Sequence, residues 1–109
     1  MENITGQFVN ELKNQGKKLL VQYSASWCMP CKILTPKLER IENNYDDVSF
    51  VKVDIEQNME HVTSLGITSV PTVIIYDGEK WIDRSVGLKD EKYYEDFLQD
   101  NPLPVFRVP

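Results

Sequence analysis

An α/β fold, with a central mixed sheet of four or five strands and helices on both faces, is what this 109-residue sequence predicts. Three observations carry that expectation. Nearly continuous apolar runs, Leu19 to Tyr23 among them, read as strands covered on both sides. Stretches with apolar residues at helical spacing alternate with those runs. The dipeptide Asp77-Gly78, between two strand-like segments, is a strong hairpin signal, so an antiparallel pair closes a pattern otherwise built from crossovers.

Each element follows in order. Ile4, Phe8, Val9 and Leu12 have helical spacing, Thr5 is placed to cap that helix, and Gly16 to close it. Leu19 to Tyr23 is the first long strand. Leu34, Leu38, Ile41 and Tyr45 form one stripe of a helix from Pro30 to Tyr45, with Pro36 inside it removing a backbone donor and expected to bend it. Val48 to Asp54 is the next strand. Strand, helix and strand make a βαβ unit, which requires the two strands to run parallel. A short helix from Met59 to Leu65 ends at Gly66, Thr72 to Tyr76 is another strand, and Lys80 to Val86 returns antiparallel. Tyr93, Tyr94, Phe97 and Leu98 mark a last amphipathic helix. Its acidic face, with Asp90, Glu91, Glu95, Asp96 and Asp100, reads as solvated.

The length suits one compact domain, placed at residues 1 to 101, with an extended proline-rich tail over residues 102 to 109. The apolar tail residues Leu103, Val105, Phe106 and Val108 are expected either to fray or to pack on the domain. The net charge of −5 and the absence of a Lys/Arg cluster argue against a nucleic-acid partner. No apolar run approaches a membrane span, and the first residues lack the basic and apolar regions of a secretory signal, so a cytoplasmic setting with reduced thiols is expected.

Chemistry concentrates in Trp27-Cys28-Met29-Pro30-Cys31-Lys32. These are the chain's two cysteines, and they lie where a buried strand gives way to a helix. A dithiol there reads as a redox site. The first thiol sits at the positive end of the helix dipole among unpaired N–H groups, which lowers its pKa below the free value of about 8.5. Cys28 is accordingly expected at an exposed helix start and to react first, and Cys31 to resolve the mixed disulfide. Structural zinc takes four ligands, and two cysteines plus a distant His61 do not supply them, so no metal is expected. His61 itself reads as a solvated helix residue. Trp27 fits a surface role more readily than a core one. Lys52, on a buried strand, is expected to run its ammonium out to water.

The pattern resembles the thioredoxin family over nearly the whole chain. The Trp-Cys-x-Pro-Cys-Lys motif is met by residues 27 to 32, the helix proline by Pro36, the strand lysine by Lys52, the Gly-Ile-x-x-Val-Pro-Thr segment by Gly66 to Thr72, and a late glycine by Gly87. The resemblance implies a thioredoxin fold whose first strand is short or missing here. It also implies a cis Val70–Pro71 bond, with Pro71 against the cysteines and the Val70 backbone pairing with extended substrate. Trp27, Met29, Ile55, Val70, Gly87 and Leu88 fall at positions that rim the substrate surface, and Pro30, Lys52 and the residue at Gln22 support the dithiol. No bound cofactor is implied beyond a redox-active Cys28–Cys31 disulfide. A flavin-dependent reductase is the implied electron source, disulfide-containing proteins the substrates, and a monomer the working form.

Three departures stand out. Gln22 occupies the position of a buried aspartate commonly assigned as proton acceptor for the second cysteine; an amide hydrogen-bonds but takes no proton. Met29 stands where glycine is usual, adding flexible apolar surface, and Ser24 where a second tryptophan is frequent. The expected function is reduction of protein disulfides through Cys28 and Cys31. The alternatives are a thiol oxidant or isomerase on the same fold, and a binding subunit that uses the fold as a scaffold. The intact dithiol weighs against the scaffold.

Overall fold

A computed structural model describes residues 1–99, so the expected tail and the boundary at residue 101 lie outside the described residues. The elements are β1 (Glu2–Asn3), α1 (Gly6–Asn14), β2 (Lys18–Ser24), α2 (Met29–Glu42), β3 (Val48–Asp54), α3 (Met59–Ser64), β4 (Thr72–Asp77), β5 (Lys80–Val86) and α4 (Glu91–Leu98). They form a five-stranded sheet in the order β1-β3-β2-β4-β5. β2 and β3 are parallel, as the βαβ connection requires, and β4 is antiparallel to both β2 and β5. The first strand is two residues long and pairs with β3 at Val51 and Lys52. α2 ends at Glu42, three residues before the expected Tyr45; the chain leaves it in a tight turn in which the Asn44 amide donates to the Ile41 carbonyl.

Strand alternation divides the core into two layers. Leu19, Val21 and Tyr23 of β2 and Val51 and Val53 of β3 face α1 and α3, joining Val9 and Val62. Leu20 of β2 and Val48 and Phe50 of β3 face α2 and α4, meeting Leu34, Leu38, Ile41, Tyr94 and Leu98. Gln22 shares Leu20's parity on β2, and Lys52 and Asp54 share Phe50's on β3. All three therefore belong to the α2 side of the sheet, where the cysteines are.

Local chemistry explains the boundaries. The Thr5 hydroxyl accepts from the Phe8 amide at 3.1 Å, and Asp90 from the Tyr93 amide at 3.0 Å. Gly16 (φ +76°) turns the chain out of α1, and Gly78 (φ +61°) turns the β4–β5 hairpin so close to Gly16 that a Cβ there would stand 3.2 Å from the Gly16 Cα. On α4's acidic face, Glu91 receives Arg40 of α2 at 2.6 Å and Asp96 receives Lys92 at 3.1 Å.

His61 is not the solvated residue that the sequence led us to expect. It is half-buried, its Nε2 lies 2.8 Å from the Tyr23 hydroxyl, and its ring packs so closely on Gly6 that any side chain there would overlap it. Burial, and secondarily the Lys13 ammonium, push its pKa below the ordinary 6.5. Above pH 6.5 both folded and unfolded chains hold the imidazole neutral, and this stabilising difference is fully present. As pH falls through that value and on through the lower folded pKa, the unfolded chain takes up a proton first and stability is lost. Denaturant titrations between about pH 7.5 and 5.5 should show that decline, and His61→Gln should flatten it. An unchanged slope in the variant would place the pH dependence elsewhere.

Candidate functional site

The dithiol is built by the end of β2 and the start of α2. Cys28 is the N-cap of α2, with extended backbone (φ −90°, ψ 107°), and Met29 and Pro30 begin the helix. Proline fits there because its missing N–H lies among donors that no helix turn would satisfy. Cys28 and Cys31 are joined as a disulfide with Cα atoms 5.3 Å apart. The Cys31 amide donates to the Cys28 Sγ at 3.2 Å. A free helix N–H thus points at this sulfur, and the positive end of the helix lies beside it, both of which favour a thiolate on Cys28.

One expectation needs correcting. Cys28 does not stand exposed: its relative accessibility is 4%, against 2% for Cys31. Ala25, Ile55 and Val70 pack around the pair. Exposure therefore does not distinguish the two thiols. The helix-end hydrogen bond does, because it is directed at Cys28 alone.

Behind Cys31 lies Gln22, fully buried on β2. Its Nε2 donates to the Cys31 carbonyl at 3.3 Å, and its Oε1 lies 3.0 Å from the Thr35 hydroxyl. Thr35 Oγ1 is also 3.0 Å from the same Cys31 carbonyl, so its single hydrogen serves either acceptor. The amide is thereby satisfied directly, and it ties β2 to the first turns of α2. Gln22 is paired in register with Lys52 of β3. Lys52 is half-buried and lines an open cleft of about 460 Å³ together with Cys31, Thr35 and Asp54.

On the other side of the disulfide runs the loop from Gly66 to Pro71. The Val70–Pro71 peptide bond is cis. The Thr72 hydroxyl donates to the Ser69 carbonyl at 2.6 Å, and the Gly87 amide donates to the Pro71 carbonyl at 2.8 Å, which brings Gly87 (φ +91°) and Leu88 alongside. Arg84 holds the start of this loop through the carbonyls of Leu65 and Gly66. Val70 makes no backbone hydrogen bond among the described residues. Trp27 and Met29 are 62% exposed and Leu88 42%.

The structure thus brings Cys28, Cys31, Gln22, Lys52, Ile55, Val70, Pro71 and Gly87 to one end of the sheet. Thr35 and Asp54 belong there too and were missed. The available signals were Thr35 four residues after Cys31 on the helix, and Asp54 two after Lys52 on the strand. Among the described residues, no group of three or more His, Cys, Asp or Glu side chains converges as a metal site would. No helix among them is long and apolar enough to cross a membrane.

Comparison with known proteins agrees with this geometry. The thioredoxin family model matches residues 2–100. The thioredoxin of Mycoplasmoides gallisepticum is 35% identical over 100 residues, covering 91% of this chain and all of that one. Thioredoxin H2 of Arabidopsis thaliana is 34% identical over 83 residues, covering 76% of this chain but only 62% of the plant protein. The X-ray structure of Fasciola hepatica thioredoxin matches with a TM-score of 0.79 at 31% identity, over 89% of this chain and 96% of that one. The chain belongs to the thioredoxin family, and its Cys28–Cys31 pair is a thiol–disulfide oxidoreductase centre.

Proposed function

We propose that this protein reduces disulfides in other proteins. The observation that carries the reading is the Cys28–Cys31 pair at the start of α2, with a helix N–H on the Cys28 sulfur and the Val70–Pro71 loop packed against it. Cys28, as thiolate, attacks a substrate disulfide; the substrate S–S bond breaks, one substrate thiolate leaves, and a mixed disulfide forms. Cys31 then loses its proton and attacks the Cys28 sulfur. The second substrate sulfur leaves as thiolate and is protonated, and Cys28–Cys31 is oxidised. Two electrons pass from the protein to the substrate.

Substrate recognition follows from the rim. Val70 has backbone groups free to pair with an extended segment, a form of strand addition. Trp27, Met29, Ile55 and Leu88 supply apolar contact, and the absence of a side chain at Gly87 leaves room beside Pro71. Met29 adds flexible apolar area at the point of attack, which favours substrates with apolar residues flanking the disulfide. Pro30 fixes the first turn of α2, and Gln22 and Lys52 stand behind Cys31. Electrons come from a flavin-dependent reductase, and the protein works as a cytoplasmic monomer without a resident cofactor. Insulin disulfide reduction, followed with dithiothreitol and then with such a reductase and its nicotinamide donor, tests activity and electron source in turn. No insulin reduction in either arm would sink the reading; reduction in the first arm alone would remove only the flavin-dependent partner.

A further inference from the structure

The resolving step needs somewhere to put the Cys31 proton. Gln22 does not accept it: an amide is not basic, and both ends of this one are engaged with Cys31 and Thr35. The cleft behind Cys31 offers another route. Its lining includes Asn3, Ser24, Cys31, Thr35, Lys52 and Asp54, and at about 460 Å³ it has room for several waters. The charged groups that line it are Lys32 at the start of α2 and Lys52 and Asp54 on β3. Asp54 is thus its only carboxylate among the described residues. One Asp54 oxygen accepts the Glu56 amide at 2.8 Å; the other makes no hydrogen bond among the described residues. Lys52 makes no ion pair among the described residues either.

We propose that Asp54, through water in this cleft, accepts the proton that Cys31 loses as it resolves the mixed disulfide, and that Lys52 favours the thiolate so formed. This rests on the reductase reading above. The S–H bond of Cys31 breaks, its proton passes by water to the Asp54 carboxylate, and its electron pair forms the bond to the Cys28 sulfur. The bond between Cys28 and the substrate sulfur breaks, and the departing substrate thiolate takes a proton from Asp54 or solvent. The proton count closes, and no oxidant beyond the substrate disulfide is needed. Both residues act through water or charge and are positioning residues for this step.

The two half-reactions separate when reduced protein is mixed in a stopped-flow instrument with less than one equivalent of the chromogenic disulfide dithiobis-nitrobenzoate. Attack by Cys28 releases one thionitrobenzoate, and resolution by Cys31 releases a second in a first-order phase. This leaving thiolate needs no proton, so the second phase reports proton loss from Cys31. Asp54→Asn keeps an oxygen for the Glu56 amide and so keeps the turn. It should slow the second phase about tenfold or more near neutral pH, within the usual range for a lost general base, and leave the first phase unchanged. Asp54→Glu should restore much of the rate, and Lys52→Met should move the pH midpoint of the second phase upward. A second phase in Asp54→Asn with the wild-type rate and pH profile overturns the proposal, as does equal slowing of both phases, which marks a structural effect. Wild-type protein that releases no thionitrobenzoate overturns the reductase reading itself, a different failure.

Discussion

Cys28→Ser should abolish insulin reduction, and Cys31→Ser should convert the protein into a trap. The asymmetry comes from the helix end. The Cys31 amide donates to the Cys28 sulfur, and the α2 dipole adds positive potential there, so Cys28 is the thiol expected to attack as an anion. A serine hydroxyl at that position is not ionised near neutral pH and forms no bond to sulfur in this exchange. Turnover should fall by at least about 10³-fold, in keeping with the loss of a nucleophile from an enzyme. Cys31→Ser keeps the nucleophile and removes the resolving thiol. Cys28 should then remain bound to substrate, visible by intact mass spectrometry as an adduct that dithiothreitol removes. Because Cys28 and Cys31 are almost equally buried, the trapping experiment tests the helix-end argument directly. If Cys28→Ser were the variant that accumulates the adduct, the two roles would be exchanged and the hydrogen bond to Cys28 would have no catalytic meaning.

Much of this arrangement was legible in the residues because it depends on short-range rules. The parallel pairing of β2 with β3 follows from one helix between two apolar runs, and the Thr5 cap acts three residues along the chain. The place of the dithiol follows from an apolar strand meeting a helix start. What escaped depends on how layers sit on one another. His61 meets Tyr23, 38 residues away, because α3 packs over β2 close to Gly6, and no spacing in the sequence encodes that contact. The near-equal burial of the cysteines arises from Ala25, Ile55 and Val70, drawn from separate segments. Asp54 had a local signal in its parity with Lys52, but that signal acquires meaning only once β3 is known to end beside α2. Gln22 was recognised as a departure, and its consequence became specific only when its partners did.

Those partners make Gln22→Asp the most telling substitution of a buried residue. Aspartate is shorter by one methylene and has no donor for the Cys31 carbonyl. When ionised it would set a negative charge near that carbonyl, in a place with no access to solvent. Leaving the carbonyl without its amide donor and burying an acid should together cost about 1–3 kcal/mol. For a domain of this size that lowers Tm by several degrees or more. Lys52 lies opposite in register and on the same face of the sheet, which limits the loss. Burial raises the pKa of such an acid above its unfolded value. The folded chain then binds the extra proton more tightly than the unfolded one, and stability falls as pH rises from the unfolded pKa through the folded one. The variant's deficit should accordingly be larger at about pH 8.5 than at about pH 5.5. Its chemistry should move the other way. A carboxylate next to Cys31 supplies an internal base, so thionitrobenzoate release in the resolving phase should quicken near neutral pH and acquire a new inflection. If Asp54 already takes the proton through the cleft, the gain on the natural background should be a fewfold. On the Asp54→Asn background it should be about tenfold or more, the range expected when a general base is restored. Equal gains on both backgrounds would mean that the two carboxylates serve different steps. No gain on either would mean that proton loss from Cys31 does not limit resolution, and that the amide at Gln22 serves chiefly to anchor the first turns of α2 to the sheet.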